Sequence, residues 1–302
     1  MAKLITMPTS PGFTRSRFVL NRTIGSVASP FTGSIRTQEF DSVFWTAEVQ
    51  LAPMRREDAV NWQSFLLNCN GPVNHFKFND PDATTMRGTY TGDQLALQER
   101  VNETNATLSF TASTNTIAGA SNTTYFSSLL VGDHIVITGS VKPNNNGTHK
   151  ILTKANAYTI TVSPCDYENL IDESNKSGCT IKVNQKGAKG LCFRSTGNSA
   201  NGTILKGDYI GISNVTSNIP TTYTPIQYVM ATEDAVETNN GGSSQNQYSV
   251  KTEPKLRVSS SNNHRVFLKP AKGLFRLQDK DVDWNADQIS NYGITFNCIE
   301  VI

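Results

Sequence analysis

The clearest pattern in the chain is an alternation of apolar and polar side chains between Val43 and Leu51. Apolar residues occupy the odd positions, with Trp45 near the centre, whereas Glu48 and Gln50 lie on the opposite face. A period of two is typical of a β-strand with one buried face. The stretch therefore predicts a strand that packs one side on a core and exposes the other.

The pattern changes to a helical period after Pro53, and four apolar residues then recur at i, i+3, i+4 and i+7. This spacing gives one apolar stripe along a helix. Asn70 and Gly71 follow the stripe, and both residue types favour the left-handed conformation that ends helices. We predict one helix over 55–69, whose stripe consists of Trp62, Phe65, Leu66 and Cys69.

From residue 102 to 184 apolar residues become sparse and Asn and Thr become frequent. Short alternating segments inside this block predict strands at 107–110, 134–138, 149–153, 158–162 and 179–183. We predict that 102–184 is a small all-β domain, inserted into a β-rich domain made of 1–101 and 185–302. The charged, Ser-rich segment 172–177 is its predicted exit loop.

The remainder of the chain again predicts strands, at 266–268, 273–277 and 294–302. One segment, 204–210, repeats the earlier segment 129–135, since both place a Gly-Asp turn before an alternating strand. This similarity could reflect a duplicated β unit. The Gly-, Ser- and Asn-rich segment 239–246 predicts the tip of a hairpin.

The composition agrees with a mainly β chain that has many turns and one helix. Charged residues make up 17% of the 302 residues and the net charge is +2, so the concentrated positive charge of a nucleic-acid-binding domain is absent. The N-terminal segment lacks the apolar core of a signal peptide, and no stretch is long enough to span a membrane. We expect a chain that is made and kept in the cytoplasm or released by lysis.

The sequence contains no motif of a catalytic nucleophile, a phosphate-binding loop or a zinc site. We therefore expect no catalytic residue, cofactor or metal, although His134 and His149 could meet on neighbouring strands. The aspartates Asp80, Asp133 and Asp208 have the sequence context of turn caps. The five cysteines are expected to be buried thiols, and only Cys165 and Cys179, which bracket a polar loop, could pair.

A series of residues along the chain resembles the distal tail proteins of long-tailed bacteriophages. The series runs through Trp45, Leu51-Ala-Pro-Met54, Arg56, Ala59, Trp62, Phe65-Leu66, Gly71, Asp80-Pro81 and Arg87-Gly88, and continues with Gly207-Asp-Tyr-Ile210, Pro254-Lys-Leu-Arg257, Gly273-Leu-Phe-Arg-Leu277 and Ile299-Glu-Val-Ile302. The resemblance covers roughly 13–92 and 185–302, and the order of the motifs carries it. The block 102–184 interrupts it, and resembles small β modules of phage virion proteins.

The resemblance implies a tail-tube-like β-sandwich or barrel with one flanking helix. It also implies a structural, non-enzymatic protein of the virion, assembled in the bacterial cytoplasm as a homo-hexameric ring of the baseplate region. The ring would join the tail tube above to the hub and fibre proteins below. Its lumen would pass the tape-measure protein and DNA, and Glu48 and Gln50 could face that lumen, because acidic or neutral side chains let DNA slide.

Two further expectations complete the sequence-based hypothesis. The alternative to a ring protein is a carbohydrate-binding or host-adhesion module of the tail tip, with the inserted β domain as its best support. The candidates for the structural core and for assembly are Trp45, Pro53, Met54, Trp62, Phe65, Leu66, Asp80, Pro81, Gly207, Asp208, Leu256, Arg257 and Phe275.

Overall fold

The computed structural model describes residues 2–91, 95–195, 202–216, 223–239, 246–288 and 291–301. Strands hold 49% of the residues and helical segments 7%, which confirms the mainly β fold class. Residues 240–245 of the predicted hairpin tip, and Ile302 at the end of the last predicted strand, lie outside the described residues.

The elements follow one another along the chain in three parts. The first part forms β1 (Leu4–Ile5), β2 (Phe13–Ala28), β3 (Ile35–Leu51), β4 (Met54–Arg55), α1 (Arg56–Cys69) and β5 (His75–Phe78). The middle part forms β6 (Leu95–Leu97), β7 (Asn102–Thr111), β8 (Thr116–Ala118), β9 (His134–Thr138), β10 (Gly147–Lys154), β11 (Thr159–Pro164), β12 (Glu173–Lys182), β13 (Gly190–Ser195), β14 (Tyr209–Ser213), β15 (Pro225–Ala231), β16 (Val236–Asn239), β17 (Asn246–Glu253) and β18 (Arg265–Phe267). The last part forms β19 (Gly273–Leu277), β20 (Asn285–Ala286), β21 (Asn291–Gly293) and β22 (Thr295–Glu300).

The chain divides into two compact units, and the second is inserted in the sequence of the first. The first unit comprises 1–84 and 270–302, and the second comprises 85–269. Residues 85–101 and 185–269, which the sequence assigned to the ring domain, belong to the second unit together with the predicted insert. The limits of the compact units thus differ from the predicted domain limits.

In the first unit, α1 packs on one face of a six-stranded sheet with the order β1-β5-β19-β22-β3-β2. The predicted stripe is buried, and Trp62 lies edge-on to Phe13 with 5.6 Å between ring centroids. The indole N–H of Trp62 also donates to the carbonyl of Ser10 at 3.2 Å. Asn70 ends the helix in the left-handed conformation, with a φ of 50°. The stripe and the apolar face of β3 therefore share one aromatic core.

The second unit contains a closed barrel that coincides closely with the predicted insert. Its strands run from Asn102 to Lys182 and pair in the circuit β7-β8-β11-β10-β9-β12, which returns to β7. We call it the inner barrel. The segment 172–177 was predicted to be an exit loop, and this is wrong, because Glu173–Lys182 forms the strand that closes the circuit.

Six strands on either side of the inner barrel form a second circuit in the same unit. The order is β6-β13-β17-β15-β14-β18, which returns to β6. Outside this circuit, β16 pairs with β17 on the side away from β13. We call this circuit the outer barrel. The inner barrel is inserted in sequence between its first two strands, β6 and β13. Each barrel has its own apolar core, but Val136 of β9 joins the outer core and Cys192 of β13 joins the inner one.

Candidate assembly surface

The hairpin of β2 and β3 continues far beyond the core of the first unit. The first buried residue of β3 is Val43, which pairs with Arg22 of β2. No side chain described between 23 and 42 is buried. The ladder nevertheless continues to the pair Ala28 and Ile35. We call residues 23–42 the arm. Two isolated strands are only marginally stable in water, so this length of ribbon without a core needs a physical explanation.

The arm exposes large apolar side chains on both of its faces. Pairing across the ladder places Ile24 and Ile35 on one face. Val27 lies on the other face, where the ring of Phe40 packs over Gly25. Phe31 in the turn is 95% exposed, and Val27 is 73% exposed. Contiguous exposed apolar surface of this kind commonly marks a site of protein association.

The strand β2 also forms one edge of the six-stranded sheet, because β3 is its only partner strand among the described residues. Unpaired N–H and C=O groups along an edge can pair with another chain. Arg15 and Arg17 are exposed on the sheet face opposite α1, directly across the ladder from Gln50 and Glu48. The exposed Arg276 of β19 carries a further positive charge on that face, where burial and, to a smaller extent, this charge lower the pKa of His75.

The predicted core residues of the first unit are mostly buried. Pro53 is exposed and so takes no part in the core, and Asp80 and Pro81 are half-buried. The Asp80 carboxylate accepts the backbone N–H of Asp82 at 3.2 Å, which is the turn cap that the sequence predicted. The buried members of the set are Trp45, Met54, Trp62, Phe65, Leu66 and Phe275.

The other predicted residues lie in the second unit. Gly207 has a φ of 92° in the turn before β14, and Asp208 caps that turn by accepting the N–H of Leu205 at 2.8 Å. Leu256 is buried in the outer core, and the backbone N–H of Arg257 donates to a side-chain oxygen at 2.8 Å. These four residues therefore belong to the outer barrel and not to the sheet that carries the arm.

A buried polar cluster joins the two barrels, and no pattern in the sequence predicts it. The Arg100 guanidinium pairs with the Asp133 carboxylate, and both side chains are almost fully buried. The Cys192 thiol approaches Asp133 at 3.7 Å, and His134 Nδ1 lies 3.2 Å from the hydroxyl of Ser249. Burial lowers the pKa of His134 to about 4 and raises that of Cys192 to about 12. Both groups are therefore neutral near pH 7, which suits a junction between barrels.

The histidines and cysteines proposed for possible sites do not come together. His134 and His149 lie on paired strands, but His149 is directly opposite Ile135, so the two rings point to different faces. No group of three potential metal ligands occurs in the described parts of the chain. Cys165 and Cys179 are free thiols, so the pairing that the sequence left open does not form.

The apolar residues of the arm are present in the sequence, but their spacing does not predict a half-buried strand. Ile24, Val27 and Ile35 flank the turn that joins β2 and β3, but they do not alternate on one face. A strand with apolar residues on both faces lacks the period-two pattern that identifies a half-buried strand. A search for strands with one apolar face therefore does not detect the arm.

Comparison with known proteins adds no identification. No protein-family model matches the chain, and no curated protein matches it significantly. Among the described residues, no helix has the length and apolar character needed to cross a membrane. The family resemblance, the virion location and the ring therefore stay predictions.

Proposed function

We propose that this chain is a structural subunit of a bacteriophage tail, which assembles with its own copies into a hexameric ring at the distal end. The ring joins the tail tube to the hub and fibre proteins and surrounds the channel for the tape-measure protein and DNA. The hexamer and the neighbours come from the family resemblance. The observation that carries self-assembly is the two-faced apolar arm at 23–42.

The arm supports assembly because its two faces cannot both be covered by one flat neighbour. Ile24 and Ile35 need a partner on one side, and Val27 and Phe40 need one on the other. Burying a large aliphatic or aromatic side chain contributes roughly 1.5–3 kcal/mol. A cyclic assembly, in which each arm is enclosed between neighbouring surfaces, satisfies both faces at once.

The positive charge on the sheet face opposite α1 argues against the channel role expected for Glu48 and Gln50. Glu48 and Gln50 are exposed, as expected for residues that face a channel. Arg15 and Arg17 share that face, however, and phosphates bind arginine side chains. A channel wall formed by this face would hold DNA instead of letting it slide, so we assign the face to protein contacts.

A triple substitution in the arm tests the proposal. Val27→Ser, Phe31→Ser and Ile35→Ser together should abolish assembly without loss of the fold, because all three side chains are exposed in the single chain. Native mass spectrometry and electron microscopy of negatively stained particles should show six-fold rings for the unmodified protein and monomers for this variant.

A matched control removes equally apolar exposed side chains from the inner barrel. The variant Val131→Ser, Val141→Ser and Leu152→Ser should still form rings, because these exposed residues lie outside the arm. A protein that stays monomeric at every concentration, and also when mixed with tail proteins, would falsify the proposed function. Rings formed by the arm variant would instead exclude the arm from the interface.

A further inference from the structure

The sheet face opposite α1 carries an excess of positive charge, which we call the basic face. It is defined by the exposed residues Arg15, Arg17 and Arg276, and Glu48 is the carboxylate opposite Arg17. These three guanidinium groups outnumber the one carboxylate, and the half-buried Lys77, which lies on the same side of the sheet as Arg276, adds further positive charge. No ion pair of Arg15, Arg17 or Arg276 is present within the described ranges of the chain. The basic face therefore retains donors for an external partner.

A segment with the opposite character follows β19, and we call residues 279–284 the acidic loop. Asp279, Asp281 and Asp283 alternate along it, with Lys280 as its only cation, so it has an excess of two negative charges. All three aspartates are exposed. Trp284, 36% exposed, gives the loop an apolar end. Like charges this close repel one another unless a cation lies nearby.

Apart from Lys280 within the loop, the described parts of the chain bring no cation into an ion pair with its aspartates. Asp279 accepts the side-chain N–H of Asn297 at 3.1 Å, which is a bond to a neutral group. Neither Asp281 nor Asp283 forms an ion pair with another described residue. The described residues also contain no group of three ligands that could hold a metal. A partner that supplies arginine side chains would satisfy the loop.

We propose that the basic face of one copy docks the acidic loop of a second copy of this chain. This inference rests on the proposed ring and names the surfaces that close it. The charges of the two surfaces are opposite, and Arg15 and Arg17 lie on the edge strand β2, whose outer side has no partner strand among the described residues. Arginine binds carboxylates through two parallel hydrogen bonds, which fixes orientation as well as charge.

The acidic loop and the two arginines of β2 lie at different places in the same unit, which determines the kind of assembly. The acidic loop leaves the sheet at the end of β19, whereas Arg15 and Arg17 lie on β2, three strands away. A contact between unlike surfaces is heterologous, and repeated contacts of this kind close into a ring when the rotation between copies permits. Such a contact should weaken as salt screens the exposed charges.

Charge reversal on each surface tests the contact. We expect R15E/R17E and D281R/D283R each to weaken assembly at least tenfold in analytical ultracentrifugation, with unchanged circular dichroism. Mixed in equal amounts, the two variants should assemble again in alternation. Each intact surface then meets an intact partner, and each reversed surface meets a reversed one. Native mass spectrometry should find equal numbers of the two variants in each ring.

The control K142E/K186E changes the net charge by the same amount as R15E/R17E, at exposed positions of the second unit, and should assemble normally. Two variants that assemble like the unmodified protein would overturn the docking assignment and leave the ring proposal intact. A mixture that stays unassembled would also overturn the assignment. An unmodified protein that never assembles would remove the proposed function itself, so the two failures are distinguishable.

Discussion

The inner and outer barrels have the same topology, but they stabilise an equivalent buried aspartate by different means. Numbered within each barrel, the strands pair in one antiparallel circuit, 1-2-5-4-3-6, and a Gly-Asp turn precedes strand 3 in both. The glycines Gly132 and Gly207 have the same φ of 92°. The similarity noted between 129–135 and 204–210 therefore extends to the whole circuit.

The hydrogen bonds of the two turns are also equivalent. In each turn the aspartate accepts the backbone N–H of the residue three positions earlier, at 2.8 Å. The glycine N–H donates at 2.8 Å to the carbonyl of the neighbouring strand, which is that of Ile151 in the inner barrel and Ala231 in the outer one. One set of backbone bonds thus builds both turns.

The difference lies in the partner of the second carboxylate oxygen. The Asp133 carboxylate receives the side chain of Arg100, which immediately precedes the inner barrel. In Asp208 the second oxygen instead accepts the backbone N–H of Arg87 at 2.6 Å, and the Gly88 N–H donates at 3.2 Å to the oxygen that already accepts Leu205. The same turn can therefore be completed by a charged side chain or by backbone dipoles. Only the first solution makes the fold depend on one side chain.

The largest expected difference between the barrels follows from removing that side chain. Arg100→Met should lower the free energy of unfolding by about 3–5 kcal/mol, because it leaves a buried carboxylate without its counter-ion. Arg87→Met should cost at most about 1 kcal/mol, because the substitution removes one hydrogen bond from an exposed guanidinium and keeps the backbone N–H. Urea denaturation of both variants measures the difference. Equal losses would show that the two aspartates are held in the same way.

The next effect is a pH dependence at the turn of the inner barrel, which the equivalent turn of the outer barrel lacks. His134 follows Asp133, whereas Tyr209 occupies the equivalent position after Asp208. Burial lowers the pKa of His134 from 6.5 to about 4. Between these values the unfolded chain binds a proton that the folded chain does not, so stability falls as the pH decreases. The expected loss from pH 7 to pH 4 is roughly 3 kcal/mol.

The variant His134→Phe isolates this effect. Thermal or urea unfolding of the variant, followed between pH 7 and pH 4, should lose most of the slope attributed to His134. Burial also lowers the pKa of His149, inside the inner barrel, and this group should supply part of the remaining slope. An unchanged slope in the variant would show that His134 is not the group that titrates.

The sequence predicts elements better than it predicts how they pair. The helix was predicted to within one residue, because Trp62, Phe65 and Leu66 repeat with the helical period on a one-sided core. Of the strand Glu173–Lys182, the sequence predicts only the second half, because the first half is polar and mostly exposed. Backbone pairing with β7 forms this strand, and the Glu173 carboxylate is satisfied by the side chain of Asn145 at 3.0 Å.

The candidate surface was harder to predict for a related reason. Arg15 and Arg17 meet Gln50 and Glu48 only through the register of β2 and β3, and register is set by turn geometry and packing. Arg100 and Asp133 are 33 positions apart in the chain, and no local pattern pairs them. Long-range pairing therefore lies beyond a one-dimensional pattern, whereas the buried face of each element does not.

The smallest expected difference between the barrels concerns their turn glycines. A φ of 92° is unfavourable for any residue with a Cβ, so Gly207→Ala should cost about 1–2 kcal/mol. A Cβ there would meet only the flexible Arg87 side chain, at 3.3 Å.

A Cβ at Gly132 would lie 2.7 Å from the Cβ of Val236, which is too close without a shift of that residue. The Cβ of Val236 is fixed to a backbone that pairs with β17, so Gly132→Ala should cost about 1–2 kcal/mol more than Gly207→Ala, as expected for overpacking. Urea midpoints of the two variants, and of Gly132→Ala combined with Val236→Ala, measure the difference. The combined variant should recover part of the extra loss. If Gly207→Ala were the more damaging substitution, the contact with Val236 would not be what separates the two turns.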